Sequence, residues 1–153
     1  MNYDGIVVLT ALLFSGFFSG IEIAFVSANK LRLELEHKKG HLRGRTLSYF
    51  LRRPSLFLTT TLVGNNIALV VYGIYMARIL EGLLPVFIPN LNDGFALFLG
   101  QTVISSAVVL ITAEFLPKAL FSLDPDRLMR ALFMPFALFY GLLYPVVIFT
   151  DWL

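Results

Sequence analysis

Long apolar runs, divided by one strongly basic stretch and one loop-like stretch, set the frame of this chain. The first run, Ile6 to Ala28, spans 23 positions and carries a single charge, Glu22. As a helix it measures about 34 Å, against a hydrocarbon core of about 30 Å. No basic residue precedes it and it is too long for a signal-peptide core, so it reads as a retained span. Lys30 to Arg53 reads as a charged helical stretch in two pieces, broken near Gly40 and Gly44, with Leu31, Leu35 and Leu42 on an apolar face suited to a membrane surface. A second span is expected from Ser55, just after Pro54, to about Leu80. Glu81 to Gly94 holds Gly82, Pro85, Pro89, Asn90, Asn92 and Asp93, the composition of a loop. The third span starts near Phe95, runs without charge to Glu114 and continues to Leu123. The last stretch, Ala131 to Leu153, is apolar and aromatic but contains Pro135, Gly141, Pro145 and Asp151. Its pattern fits a fourth span, or a bent helix in the interface anchored by Phe133, Phe136, Phe139, Tyr140, Tyr144 and Trp152.

Composition narrows the class further. The chain has 153 residues, 58% hydrophobic and 14% charged, where soluble domains carry about 45–50% and about 25%. That excludes an ordinary water-soluble enzyme or a nucleic-acid-binding module and predicts an all-α integral membrane protein. No cysteine is present, so disulfides, thiol chemistry and Cys-ligated zinc are excluded. Both histidines, His37 and His41, lie in the basic stretch, which argues against a histidine metal cage. No nucleophile–base pair or phosphate loop is visible, so no enzymatic activity is expected. Eight of the twelve Lys and Arg lie between Lys30 and Arg53, the next loop is flanked only by Arg78, and Lys118, Arg127 and Arg130 follow the third span. The excess of Lys and Arg in short loops marks the cytoplasmic side. The N-terminus is therefore expected outside, with the basic loop and the end of the third span in the cytoplasm, in a cell (inner or plasma) membrane.

Three polar clusters interrupt the apolar runs. In the first, Ser15, Ser19 and Glu22 share one helix face, and Gly16 and Gly20 form a G-x-x-x-G pair that lets another backbone approach. The second is Gly64-Asn65-Asn66, whose two consecutive amides cannot face the same way. The third is Glu114-Phe115-Leu116-Pro117-Lys118, where proline cannot donate to the Ala113 carbonyl and must kink or loosen the helix. Each has a purely structural reading: a packing groove, an interhelical hydrogen bond, a Glu114–Lys118 pair at a kinked helix end. Depth joins them. Ser19 lies 11 residues from Lys30, Asn65 lies 12 from Arg53, and Glu114 lies 10 from Asp124, so each sits about 15–18 Å from the same flank. Hydroxyl, amide and carboxylate at one level form an all-oxygen set, suited to a hard cation such as Mg²⁺, Ca²⁺ or Na⁺.

These motifs carry a resemblance. Ser15-Gly-x-x-Ser19-Gly-x-Glu22-x-Ala24 with Ser27, then Leu62-x-Gly64-Asn65-Asn66, then Glu114-x-x-Pro117-Lys118, in this order, resemble the transmembrane domain of the CorC/CNNM proteins over nearly the whole chain. The resemblance implies three transmembrane helices (about 6–28, 55–80 and 95–123), a cytoplasmic helical hairpin (30–53) and an interfacial belt helix (about 125–153). It implies a homodimer and Na⁺-coupled Mg²⁺ export. The polar residues themselves place Ser15, Ser19, Asn65 or Asn66, and Glu114 around the ion, with Gly64 as a source of backbone carbonyls and Gly20, Glu22, Pro117 and Lys118 at kinks or gates. The family's cytoplasmic CBS domains are expected to be absent, because the chain stops at Leu153. The expected partners are Mg²⁺, a coupling cation, membrane lipid and a second copy, with no nucleic acid. A different class stays open beside transport: a cation-sensing membrane anchor that signals without net flux. A third is a proton-coupled carrier with Glu22 or Glu114 as relay.

Overall fold

A computed structural model of the chain describes residues 3–31, 33, 42–87 and 94–152, and every regular element among them is helical. Four helices are long and apolar enough, by length and composition, to cross a membrane: Tyr3–Ser27, Pro54–Phe87, Gly94–Phe121 and Pro125–Phe149. The chain is a multi-pass membrane protein.

Helix α1 (Tyr3–Ser27) carries Asp4 in its first turn, where the helix dipole favours a carboxylate. Just past its end, the Asn29 backbone N–H donates to Asp126 Oδ1 at 2.9 Å, tying the exit of α1 to the last helix. Helix α2 (Leu42–Arg52) contains Gly44 in its first turn, so the break expected there does not occur. The rest of the expected hairpin, with Leu35 and Gly40, lies outside the described residues.

Helix α3 (Pro54–Phe87) opens on a proline, whose preset φ and missing N–H cost nothing at a first position. Its 34 residues correct the loop expected from Glu81: the helix runs on through Gly82 and Pro85. So close to a helix end, Pro85 removes one bond, while buried Leu80 and Leu84 pin the closing turns.

The third segment consists of α4 (Gly94–Val109), a π-helical turn (Leu110–Phe115) and α5 (Leu116–Phe121). Here the loosening expected before Pro117 takes a definite form, with the Leu116 N–H donating to Ile111 O, five residues back. Helix α6 (Pro125–Trp152) is one continuous helix of 28 residues despite Pro135 and Pro145. Asp124 caps it, accepting from the Arg127 N–H at 3.2 Å.

In hydrocarbon, apolar side chains do not escape water by meeting one another, so packing geometry holds the helices together. At the basic-loop end the rings of Phe25 and Phe57 stack at 3.9 Å, and Phe57 stacks on Phe136 at 4.0 Å. Phe50 of α2 meets Phe57, Phe136 and Tyr140 edge-on. At the opposite end Val8, Ala11 and Tyr72 form a smaller cluster, and the Tyr72 hydroxyl donates to Ser105 O at 2.9 Å, fastening α3 to α4. Two cores at the two ends leave the middle of the α1/α3 contact for polar groups.

Candidate ion-binding site

Helices α1 and α3 run antiparallel, and their register follows from contacts at three levels. Phe25 stacks on Phe57, Ser15 bonds to Asn65, and Ala11 shares a cluster with Tyr72. Between the two apolar ends this register brings together the first two polar motifs. Ser15 is fully buried, and its Oγ donates to Asn65 Oδ1 at 2.6 Å. One turn along the same face, Ser19 is 1% exposed, and its Oγ has no hydrogen-bond partner among the described residues. A buried hydroxyl left unmatched costs stability, so an orphan of this kind points to something that completes it. Gly64 is packed under the Phe18 ring, which fills the space where a Cβ would stand. Asn66, the second amide, is exposed on the other side of α3.

Two hydroxyls that the sequence reading passed over belong to the same interior. Thr60 and Thr61 are fully buried, bonding back to Leu56 O at 2.7 Å and Leu58 O at 2.8 Å. Thr61 lies one helical turn from Asn65 on the same face, and by the register it stands level with Ser19. Its signal was available as the i, i+4 spacing to Asn65, but threonine in a span so often bonds to its own helix that spacing alone does not single it out.

The third motif reaches this level from the other flank of α1. A Cβ on Gly16 would stand 3.0 Å from Pro117 Cγ and 3.9 Å from Ala113 Cα, and one on Gly20 would stand 2.8 Å from the Phe121 ring. The G-x-x-x-G face is thus filled by the π turn and α5 of the same chain. Ala113 is fully buried there, which brings the neighbouring Glu114 to the depth of Ser15 and Asn65. The Glu114 carboxylate itself turns to Lys118, with Nζ to Oε2 at 3.8 Å and the Glu114 side chain about one-third exposed (34%). Because Leu116 donates to Ile111 O and residue 117 is proline, the Thr112 carbonyl loses its usual ladder donor. Glu22 is half-buried one turn nearer the basic loop.

The site therefore offers hydroxyl, amide and carbonyl oxygens with one carboxylate at the same level. No group of three or more His, Cys, Asp or Glu stands together among the described residues. Such a donor set offers little to zinc or copper and suits a hard, oxygen-seeking cation.

Residues 6–153 match the family described as CNNM, the Cyclin M transmembrane N-terminal domain. The UPF0053 inner membrane protein YfjD of Escherichia coli (strain K12) is 29% identical over 113 residues. That alignment covers 74% of this chain and 24% of the relative, so the chain spans about a quarter of that protein's length.

Proposed function

The chain belongs to the CNNM transmembrane-domain family, and from that premise we propose that it carries Mg²⁺ across the membrane as a Na⁺-coupled exporter working by alternating access. The observation that carries this reading is the buried Ser19 hydroxyl, unpartnered among the described residues, one turn from the Ser15–Asn65 pair. Mg²⁺ ligands lie about 2.1 Å from the ion in near-octahedral geometry, so adjacent ligand oxygens are about 3 Å apart. Ser15 Oγ and Asn65 Oδ1, at 2.6 Å, need only separate slightly to become neighbouring ligands. Ser19 adds a third oxygen, and the Thr112 carbonyl freed at the π turn can add a fourth. Released from Lys118, Glu114 supplies the charge. Pairing with Lys118 and pairing with the ion are then two alternative states of one carboxylate, with Gly20, Glu22 and Pro117 flanking the moving parts.

In this reading α1, α3 and the α4–α5 segment span the membrane, the N-terminus lies outside, the basic stretch is cytoplasmic, and α6 is the interfacial belt. Support for the belt comes from one stripe of α6. Met129, Phe133, Phe136 and Val147 are all buried in the cluster that holds Leu47 and Phe50 of α2 and the basic-loop ends of α1 and α3. A helix crossing the membrane carries its far residues about 1.5 Å per position away from the side it left, yet Val147 is still in that cluster.

Mg²⁺ flux into proteoliposomes holding an internal indicator tests the proposal. Flux that depends on a Na⁺ gradient supports it. Mg²⁺ binding without net flux supports the sensing anchor instead. Within the same assay, Glu22→Gln is expected to cut flux about tenfold while equilibrium Mg²⁺ affinity stays within about twofold, as for a group on the path rather than at the ion. Loss of binding in that variant makes Glu22 a direct ligand.

The working unit in this reading is a homodimer, because three spans form a thin bundle around a polar site. Light scattering with detergent and lipid subtracted is expected to give twice the chain mass of 17.2 kDa. A single-chain particle that transports Mg²⁺ removes the requirement.

A further inference from the structure

Between α1, α3 and α6 lies an apolar cavity of about 370 Å³. Its floor is the Phe18 ring on Gly64, met by Phe139 of α6 at 5.4 Å. From there it extends along α1 to Ile6 and along α3 to Val71. Thr10, the polar side chain among its described lining residues, already donates to Ile6 O of its own helix at 2.8 Å. Such a lining offers water too few partners to hold it. Apolar cavities of about 150 Å³ stay dry and take up hydrocarbon ligands such as benzene, and this one is more than twice that size. Ile6, Phe14 and Ile67 in its wall are 45%, 39% and 50% exposed, so the cavity opens on the surface that faces lipid.

We propose that this cavity is a phospholipid site, in which one acyl chain lies with its end against Phe18 while the phosphate of the same lipid rests on Arg78. Positions 67, 71, 75 and 78 follow one another at steps of four, four and three. Arg78 therefore continues the face of α3 on which Ile67 and Val71 line the cavity. It is exposed, and its guanidinium is held over the Tyr75 ring at 5.1 Å. Tyr75 packs on the cluster of Val8, Ala11 and Tyr72, and Ala11 is also a wall of the cavity. Depth gives the same pairing. Gly64 lies 11 residues from Arg53, near mid-membrane, and Arg78 lies 14 residues further on, about 21 Å. Half of a bilayer with its headgroups is about 20–22 Å. A chain end on Phe18 thus puts the phosphate level with a fixed guanidinium, which binds phosphate oxygens in pairs. Ile6 to Phe18 covers 12 residues of α1, about 18 Å, a length that an acyl chain fills and no side chain from a neighbouring helix reaches. Free hydrocarbon would suit the lining but leave Arg78 unmatched. The site needs only that α1 and α3 cross the membrane, and it does not rest on what the protein carries.

The probe is a phosphatidylglycerol carrying a diazirine at the end of one acyl chain, in phosphatidylethanolamine vesicles that hold the native chain. Irradiation is expected to label Phe18 about fivefold more than Leu110 and Ile111, exposed residues of the third segment near the same depth. Unlabelled phosphatidylglycerol is expected to compete the excess away. Ile67→Trp, which fills the cavity from its half-exposed wall, is expected to cut labelling of Phe18 about fivefold. Arg78→Gln is expected to cut it about threefold, by loss of the charge-assisted phosphate contact. With the diazirine on a long-chain fatty alcohol instead, Arg78→Gln is expected to change nothing. Labelling of the native chain spread evenly over Phe18, Leu110 and Ile111 overturns the site, and that map needs no substitution to fold. Equal labelling of the parent and Arg78→Gln by the phospholipid probe also overturns the proposal, because the cavity then takes hydrocarbon without regard to its headgroup.

Discussion

Glu114→Gln is expected to abolish saturable Mg²⁺ binding and transport, lowering affinity on the order of 100-fold or more. Glutamine keeps the size and one oxygen, so the variant removes charge and little else. The remaining candidate donors, from Ser15, Ser19 and Asn65, are neutral. Neutral oxygens in a low-dielectric interior do not offset the desolvation of a divalent cation. The fold is expected to survive. Glu114 is partly exposed and its i, i+4 contact with Lys118 is long at 3.8 Å, a kind of pair worth about 0.3–0.5 kcal/mol. Isothermal calorimetry with Mg²⁺, alongside circular dichroism of the same sample, separates lost binding from lost folding. A correctly folded Glu114→Gln protein that binds Mg²⁺ like the parent places the ion elsewhere.

Gly64→Ala is the second large effect, and it acts through packing. The added methyl falls within the Phe18 ring. Phe18 is 4% exposed and is met edge-on by Phe17 at 5.3 Å and Phe139 at 5.4 Å, and with Gly64 and Phe139 it also lines an apolar cavity of about 370 Å³. Either the ring turns into that cavity and gives up its edge contacts, or the helices part, at about 1–3 kcal/mol for volume forced into a close contact. Separation also parts Ser15 from Asn65, so Mg²⁺ flux is expected to fall along with the midpoint of thermal unfolding in detergent. Gly82→Ala, where a Cβ meets nothing within 4 Å among the described residues, is the matched control and is expected to keep or slightly raise stability. Equal melting midpoints for Gly64→Ala and the parent contradict the close contact with Phe18.

Residues whose roles follow from the chain alone are those whose signal is one-dimensional. Runs of apolar side chains long enough for a bilayer, and the crowding of Lys and Arg between Lys30 and Arg53, need no partner to be interpreted. Pro117 is similar: its missing N–H dictates a loosened turn wherever the helix goes, and the π turn at Leu110–Phe115 is that loosening. The error at Glu81–Phe87 came from the same local logic applied too far. Gly82 and Pro85 have turn-like composition, but buried Leu80 and Leu84 tie that stretch to the rest of the molecule and keep it helical.

Which of two adjacent amides faces inward is a different kind of question. Asn65 and Asn66 are chemically identical in the sequence, and so are the two possible uses of the Gly16/Gly20 face. The chain alone dictates a helical membrane protein whose polar groups lie at similar residue counts from their charged flanks. Only the tertiary structure decided that Asn65 meets Ser15, that Gly16 and Gly20 receive Pro117 and Phe121 of the same chain, that Thr61 joins the interior, and that Glu114 turns to Lys118. The physical reason is rotational. Depth accumulates along a helix at a fixed rise per residue and can be counted from its charged ends. The facing of each side chain depends on how α1 and α3 turn against one another, and that angle is set by the Phe25–Phe57 stack and by Phe18 seated on Gly64.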